Sequence, residues 1–138
     1  MALLIHKRRV ALADTDSAGL LYFANQLQYA HEAYELLMAE IGMPLQEIIA
    51  SESFLLPLVH VESDYLAPLQ VDDHIEVRTQ IEKIGHTSFI LAHEMVKKNG
   101  KIVGRARTVH VATDRESSEK TPLPDRLRDG LEKFRAAR

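Results

Sequence analysis

The chain has 138 residues, of which 46% are hydrophobic and 27% charged, values typical of one globular domain with its own core. Its 17 Lys and Arg face 20 Asp and Glu, so the formal charge is -3, which argues against the basic field of nucleic-acid-binding proteins. The absence of cysteine excludes disulfides, thiolate metal sites and a cysteine nucleophile, so acids, histidines and backbone groups must carry any catalysis.

The N-terminal segment gives no sign of export or of membrane insertion. No apolar run approaches the roughly 20 residues that are needed to cross a bilayer. The short apolar start is followed at once by His6-Lys-Arg-Arg and not by the apolar core of a secretory signal. We therefore expect one cytoplasmic domain over residues 1–138, without membrane contact.

The first predicted elements are a strand and a long helix. Residues 3–13 favour a strand of mixed pattern that stops at Asp14. Residues 25–41 predict a helix with Asn25 as its N-cap, because apolar residues follow the i, i+3, i+4, i+7 spacing. This stripe consists of Leu27, Ala30, Tyr34, Leu37, Met38 and Ile41.

Glycine and proline mark the end of this helix. Gly42 suits the position after the last helical residue, and Pro44 prevents continuation. Pro44 also suits the first turn of a second, short helix over residues 45–50.

The second half of the chain is rich in predicted strands. Asn99-Gly100 is a strong hairpin signal between two of them. The last strand places Gly104, Ala106 and Thr108 on one face, which could accept a closely packed helix. The predicted strands cover residues 54–66, with a break at Pro57, and residues 74–84, 87–98 and 101–113. A polar C-terminal tail over residues 115–138 follows, with a short predicted helix over residues 126–135.

The order of elements predicts an α+β domain. One antiparallel sheet of about five strands should wrap around the long helix. A small domain of this kind leaves a sheet edge or face exposed, and such surfaces usually pair with another copy. We therefore expect a homo-oligomer.

The two acids before the long helix are the first candidates for chemistry. Asp14 and Asp16 could simply be turn or capping residues. The stretch that begins at Asp14 does not match a twelve-residue calcium-binding loop, because Ala18 occupies the third ligand position and Asn25 occupies the twelfth residue of the loop, where a glutamate is needed. Asp16 also precedes Gly19, and the free backbone N–H groups of the nearby helix start could stabilise an oxyanion. This arrangement favours acyl transfer.

Several polar residues have both a functional and a structural interpretation. His31 and Glu35 lie four residues apart on the helix, where they could contact the polar end of a substrate or form a histidine–carboxylate pair. The sequence His31-Glu-Ala-Tyr-Glu lacks the second histidine of the zinc motif, so no metal is expected. Lys83 and His86 could contact a phosphorylated ligand or belong to a solvated charged face.

Several stretches together resemble one family. The stretch from Asp14 to Asn25, Asp-Thr-Asp-Ser-Ala-Gly-Leu-Leu-Tyr-Phe-Ala-Asn, resembles the signature of the hotdog-fold acyl-CoA thioesterases of the 4-hydroxybenzoyl-CoA thioesterase type. The order of the predicted elements is also the hotdog order. The segments His31-Glu-Ala-Tyr-Glu and Leu56-Pro-Leu-Val-His look most like the 1,4-dihydroxy-2-naphthoyl-CoA thioesterases of phylloquinone and menaquinone biosynthesis.

The resemblance implies roles for individual residues. Asp16 matches the family's catalytic carboxylate, as a nucleophile or as a general base. The backbone N–H of Phe23 matches the amide that polarises the thioester carbonyl, with Gly19 shaping the turn and Tyr22 beside it at the substrate. His31 stands where a helix residue meets the aromatic acyl group.

The resemblance also implies a mode of assembly and a path for CoA. Members of the family join two sheets edge to edge, often pair these dimers into tetramers, and form their sites between subunits. The nucleotide end of CoA would run toward Lys83 and His86, although this chain lacks the dense arginine cluster of some relatives. The expected enzyme hydrolyses an acyl-CoA without a metal or another cofactor. The alternatives are a thioesterase for short aliphatic or benzoyl-type CoA esters and a non-catalytic acyl-binding module.

Overall fold

A computed structural model describes residues 3–136 of the chain. Its main sheet has five antiparallel strands in the order β1-β4-β5-β6-β3, and β2 and β7 form a separate two-stranded ribbon. The helices are α1 (Phe23–Glu40), α2 (Leu45–Ser51) and α3 (Asp125–Glu132). The strands are β1 (Leu4–Arg9), β2 (Phe54–Leu55), β3 (Leu58–Tyr65), β4 (His74–Ile84), β5 (Ser88–Lys97), β6 (Ile102–Val111) and β7 (Thr113–Asp114).

The core lies between the main sheet and α1. Strand β4 alternates as predicted, so that Ile75, Val77 and Ile81 are buried. Their partners on α1 include Tyr29 in its first half and Leu37 in its second half, in two neighbouring hydrophobic clusters. The predicted α+β class, with one sheet around one long helix, is therefore confirmed.

Helix α1 packs very closely against strand β6. A Cβ atom added to Gly104 would lie only 2.0 Å from the side-chain oxygen of Gln26 on α1. The Gln26 amide also donates to the Ser63 hydroxyl and to the Asp64 carbonyl, at 2.9 Å each. The small residues predicted on this face thus allow a buried glutamine to join α1 to β6 and to the edge strand β3.

Two predicted boundaries near the first turn are wrong. Helix α1 begins at Phe23 and has Tyr22 as its N-cap, whereas the sequence pattern placed the cap at Asn25. The Tyr22 N–H and the Asn25 side chain both donate to the carbonyl of Asp14, at 2.9 and 2.8 Å, which draws the chain into the helix early. Strand β1 ends at Arg9, before the predicted end, because a short 3-10 turn occupies Leu12–Asp14.

The predicted hairpin and C-terminal helix are confirmed with small shifts. Asn99-Gly100 connects β5 to β6, and Gly100 adopts φ +87°. The C-terminal segment belongs to the core, because Leu127 and Leu131 of α3 are fully buried. The Ile81 N–H also donates to the carbonyl of Phe134 at 2.8 Å. No helix within residues 3–136 is both long enough and apolar enough to cross a membrane.

A chain of buried polar side chains crosses three strands beneath α1. His93 on β5 contacts the Thr79 hydroxyl at 2.8 Å and the Thr108 hydroxyl at 3.2 Å. The Thr108 hydroxyl in turn lies 3.1 Å from Nε2 of His110. Burial lowers the pKa of His93 to about 4 and that of His110 to about 3, and neighbouring imidazoles add to the effect. Both rings are therefore neutral in the folded protein near pH 7.

These two histidines should make the fold sensitive to acid. In the unfolded chain they bind protons below their ordinary pKa of 6.5, whereas the folded protein keeps them neutral to lower pH. As the pH is lowered from about 6.5 to about 4, the free energy of unfolding should therefore fall by up to about 1.4 kcal/mol per pH unit for each histidine. Urea titrations across this range should show a smaller slope for His93→Gln, with the exposed His60→Gln as control. An unchanged slope in His93→Gln would contradict this assignment.

Candidate active site

Asp16 lies in a tight turn between the 3-10 segment and α1. Its Oδ1 atom accepts hydrogen bonds from the N–H groups of Ala18 at 2.9 Å and Leu20 at 3.2 Å. The Gly19 N–H donates to the carbonyl of Asp16 at 3.0 Å, and Gly19 adopts φ +77°, a conformation that favours glycine. Within residues 3–136, the Oδ2 atom of Asp16 accepts no hydrogen bond. The turn therefore presents an exposed carboxylate with one oxygen fixed and the other free.

The start of α1 lies a few residues beyond this turn. The N–H of Phe23, the first helical residue, has no acceptor in the described part of the chain. Tyr65, at the end of β3, donates its hydroxyl to the Phe23 carbonyl at 2.6 Å and so anchors the helix start to the edge strand. The exposed rings of Tyr22 and Phe23 lie 4.8 Å apart. The positive end of the helix dipole and a free donor thus lie seven residues beyond Asp16 in the chain.

Asp14 has a different environment from Asp16. Its carboxylate is buried, and Oδ2 accepts hydrogen bonds from the Tyr29 hydroxyl at 2.7 Å and the Ala11 N–H at 3.2 Å. The Arg8 guanidinium lies 3.2 Å from the same oxygen. Burial alone would raise the pKa of Asp14, but these hydrogen bonds and the Arg8 charge outweigh it and lower the pKa. Asp14 is therefore a structural acid that joins β1 to α1.

Arg8 connects this acid to a larger network that the sequence patterns did not indicate. Its guanidinium lies 4.5 Å from the centre of the Tyr29 ring and donates to Glu32 at 3.0 Å. Nε2 of His6 also lies 2.9 Å from Glu32. The only sequence signal was the alternation of His6 and Arg8 on the inward face of β1, opposite a helix that carries Tyr29 and Glu32.

His31 and Glu35 are exposed on the outer face of α1 and border a shallow cavity of about 530 Å³. His31 also borders a second cavity, of about 540 Å³, which lies beside α2 and has mainly apolar walls. We call this second space the α2 cavity. The predicted pairing of His31 with Glu35 is not among the hydrogen bonds and ion pairs of residues 3–136. His31 instead tilts against the Tyr34 ring, with 5.4 Å between the ring centres.

Lys83 and His86 lie far from Asp16 within one chain. The Asp16 turn packs beside the start of β4, because Leu20 pairs with Gln70. Lys83 is near the other end of β4, nine residues beyond His74, or roughly 30 Å away along an extended strand. His86 follows in the loop before β5, and both side chains are exposed. A single chain therefore brings Asp16, Gly19, Tyr22 and Phe23 together, but it does not bring the two basic residues to them.

No group of three or more His, Cys, Asp or Glu side chains within residues 3–136 could hold a metal ion. The site instead combines a carboxylate that has a free oxygen, on Asp16, with an unused amide seven residues later, at the start of α1. This pair has the parts that acyl transfer needs, namely a nucleophile or base and a donor for the developing oxyanion.

A five-stranded antiparallel sheet around one long helix defines the hotdog class of folds. The family model described as the thioesterase-like superfamily matches residues 10–131. The chain belongs to this superfamily.

Several relatives can be compared along nearly their whole length. The chain is 35% identical over 127 residues to a 1,4-dihydroxy-2-naphthoyl-CoA hydrolase of Synechococcus elongatus, covering 91% of this chain and 93% of the relative. It is 37% identical to the hydrolase of the same name from Synechocystis sp., covering 90% and 91%. The crystal structure of a 1,4-dihydroxy-2-naphthoyl-CoA thioesterase from Synechocystis superposes with a TM-score of 0.89 at 34% identity, covering 94% and 96%.

A fourth relative is the structure of a gentisyl-coenzyme A thioesterase. It superposes with a TM-score of 0.83 at 28% identity, and the match covers 92% of this chain and 98% of the other. These relatives therefore share both the fold and a name that describes hydrolysis of a CoA thioester.

Proposed function

We propose that this protein is an acyl-CoA thioester hydrolase whose substrate is the CoA ester of a hydroxylated aromatic acid. The first candidate is 1,4-dihydroxy-2-naphthoyl-CoA, an intermediate of phylloquinone and menaquinone biosynthesis. The main support for this proposal is the combination of the free Oδ2 of Asp16 with the free N–H of Phe23 at the start of α1. The names of the relatives support the substrate class, because the gentisyl group is also a hydroxylated aromatic acyl group.

The pair can perform both halves of the hydrolysis. The Phe23 N–H and the helix dipole stabilise the negative charge that develops on the thioester oxygen. Asp16 either attacks the carbonyl carbon, which forms a mixed anhydride that water then cleaves, or removes a proton from an attacking water. In both routes the C–S bond breaks, CoA leaves as a thiolate that takes up a proton, and the acyl group leaves as a carboxylate. Gly19 allows the turn its φ of +77°, which other residues rarely adopt.

The outer face of α1 lines an apolar path for the acyl group. Phe23, Leu27 and His31 are spaced by four residues, so they lie on one side of the helix over about 12 Å. Tyr22 stands at the start of this path and Glu35 one turn beyond its end. An acyl group held at Phe23 of one chain does not extend over the whole path, so His31 would hydrogen-bond the hydroxylated ring of an acyl group held at the partner's Phe23.

A homodimer would complete the site. Strand β3 is an edge strand of eight residues, all exposed except Ser63, and its backbone is free on one side to pair with a second copy. Antiparallel pairing of β3 with its copy in one continuous sheet requires a two-fold axis across the sheet. The two α1 helices then run in opposite directions, so that Lys83 and His86 of one chain lie at the same end as the partner's Asp16. In this arrangement they can hold the phosphates of CoA.

The experiment that tests the function is a CoA-release assay over a panel of thioesters. We expect the highest kcat/KM on 1,4-dihydroxy-2-naphthoyl-CoA, a lower value on benzoyl-CoA and the lowest on short aliphatic esters, because the smaller groups fill less of the apolar path. A preference for benzoyl or aliphatic esters would contradict the substrate class. Binding of acyl-CoA without release of CoA would contradict hydrolysis and indicate an acyl-binding module.

A further inference from the structure

The α2 cavity has the character of a ligand pocket rather than of a packing defect. It is an open groove of about 540 Å³ between α1, α2 and the segment around β2, within the size range of pockets for small molecules. Its apolar walls include Ile48 and Ile49 of α2 and Leu55 and Pro57 beyond it. Ile49 is 64% exposed, an unusual exposure for an isoleucine beside a cavity. An apolar ligand would cover this surface.

Tyr34 supplies a polar group to this apolar space. Its side chain is only 3% exposed, and its ring is held by stacking on His110, with 4.3 Å between the ring centres. His110 in turn stacks on Phe89 at 5.0 Å. The ring of Tyr34 is therefore fixed against the sheet, and a change that keeps the ring should preserve this packing.

The hydroxyl of Tyr34 lacks a hydrogen-bond partner among residues 3–136, and burial raises the pKa of this phenol. In the same range, the only fully enclosed side-chain polar atom without a partner is Nδ1 of His110. The Tyr34 hydroxyl is therefore not fully enclosed, and because Tyr34 lines the α2 cavity, we place its hydroxyl at the cavity wall. A nearly buried hydroxyl without a partner is costly, unless a bound molecule supplies one.

His31 stands at the mouth of the same cavity, beside Tyr34. The pocket thus combines apolar walls, which suit a flat ring, with a hydroxyl and an imidazole on one side, which suit the polar substituents of that ring. We propose that the α2 cavity receives the hydroxylated aromatic ring of the acyl group and that Tyr34 is a specificity-determining residue that bonds a ring hydroxyl. This inference rests on the proposed function.

The position of the cavity agrees with the proposed dimer. Tyr34 lies eleven residues after Phe23, or about 16 Å along the helix axis. This is too far for an acyl group held at Phe23 of the same chain to place its ring against Tyr34. In the two-fold dimer the helices are antiparallel, so the α2 cavity of one chain faces the end of the molecule that carries the partner's Asp16.

A single-atom change tests the role of Tyr34. In Tyr34→Phe the ring and its stacking remain, and only the hydroxyl is lost. We expect kcat/KM to fall about tenfold on 1,4-dihydroxy-2-naphthoyl-CoA and to stay unchanged on 2-naphthoyl-CoA, which has no ring hydroxyl. Tyr65→Phe is the matched control, because it also removes a hydroxyl but lies outside the cavity, and it should affect both esters equally. An equal fall on both esters in Tyr34→Phe would overturn the proposal.

A binding measurement separates this inference from the proposed hydrolysis. Ile49→Trp should fill the cavity from its exposed side and weaken calorimetric binding of free 1,4-dihydroxy-2-naphthoate at least about tenfold, whereas Leu36→Trp, an exposed change outside the cavity, should not. Unchanged binding in Ile49→Trp would overturn the pocket even if the native enzyme hydrolyses the ester. If the native protein binds the acid in the cavity but releases no CoA from the ester, the proposed hydrolysis is contradicted and the proposed pocket is not.

Mixing two defective variants tests whether the cavity serves the partner's Asp16. Each dimer of Asp16→Asn lacks the carboxylate, and each dimer of Ile49→Trp has a filled cavity. If the two groups come from different chains, a mixed dimer contains one intact site, and activity should reappear after the variants are unfolded and refolded together. No recovery, with mixed dimers confirmed by mass, would overturn the arrangement across the dimer.

Discussion

Asp16→Asn is expected to reduce kcat on the best acyl-CoA by about a thousandfold, because the amide can neither attack the thioester nor remove a proton from water. The fold should be unaffected, since the asparagine oxygen can still accept the N–H groups of Ala18 and Leu20 that close the turn. Substrate binding should remain close to native for the same reason. Single-turnover CoA release, with binding of a non-hydrolysable analogue measured in parallel, provides the two readouts.

The control for this prediction is Asp72→Asn, which changes an exposed acid that pairs with Arg9 near the same loop. It should keep native turnover. A near-native kcat in Asp16→Asn would remove Asp16 from the chemistry and with it the proposed mechanism.

Asp14→Ala is expected to act on stability, lowering the free energy of unfolding by about 3 kcal/mol. The change leaves the Arg8 guanidinium and the Tyr29 hydroxyl partly buried without their acceptor, and it removes a bond to the Ala11 N–H. Urea unfolding measures the loss, and turnover per folded molecule should stay within a few-fold of native.

Asp72→Asn again provides the comparison, because asparagine tolerates the φ of +72° at this position. The ion pair of Asp72 with Arg9 is exposed, so its loss should cost less than about 1 kcal/mol. If Asp14→Ala were instead as stable as the native protein and inactive, Asp14 would be the catalytic acid and Asp16 a turn residue.

The features that the sequence predicted are those that local patterns encode. Strand β4 has the predicted bounds, because buried and more exposed residues alternate from His74 to Ile81, and only a register shift between Ile81 and Lys83 interrupts the pattern near its end. The hairpin at Gly100 follows from local turn chemistry. The start of α1 could not be predicted in this way, because the carbonyl of Asp14 fixes it by accepting bonds from Tyr22 and Asn25 across the turn.

The two acids show the same division within the site. The spacing of Asp14 and Asp16 did not show which of the two is catalytic, and family resemblance, not physical chemistry, favoured Asp16. The physical difference comes from tertiary structure, because Arg8 on β1 and Tyr29 on α1 surround Asp14 and leave Asp16 exposed. Tyr34 was predicted only as part of the apolar stripe of the helix, since periodicity places a side chain on a face but does not show which atom meets a cavity.

The turn around Asp16 has a consequence for the second half of a direct-attack route. If Oδ2 attacks the thioester, the remaining oxygen of the mixed anhydride on the enzyme side is Oδ1, which already accepts the N–H groups of Ala18 and Leu20. When water then adds to that carbon, these two amides hold the new negative charge, so the loop acts as a second oxyanion hole, for the enzyme's own acyl carbon. In a single turnover, water labelled with heavy oxygen would then leave its label in the Asp16 carboxylate and not in the released aromatic acid.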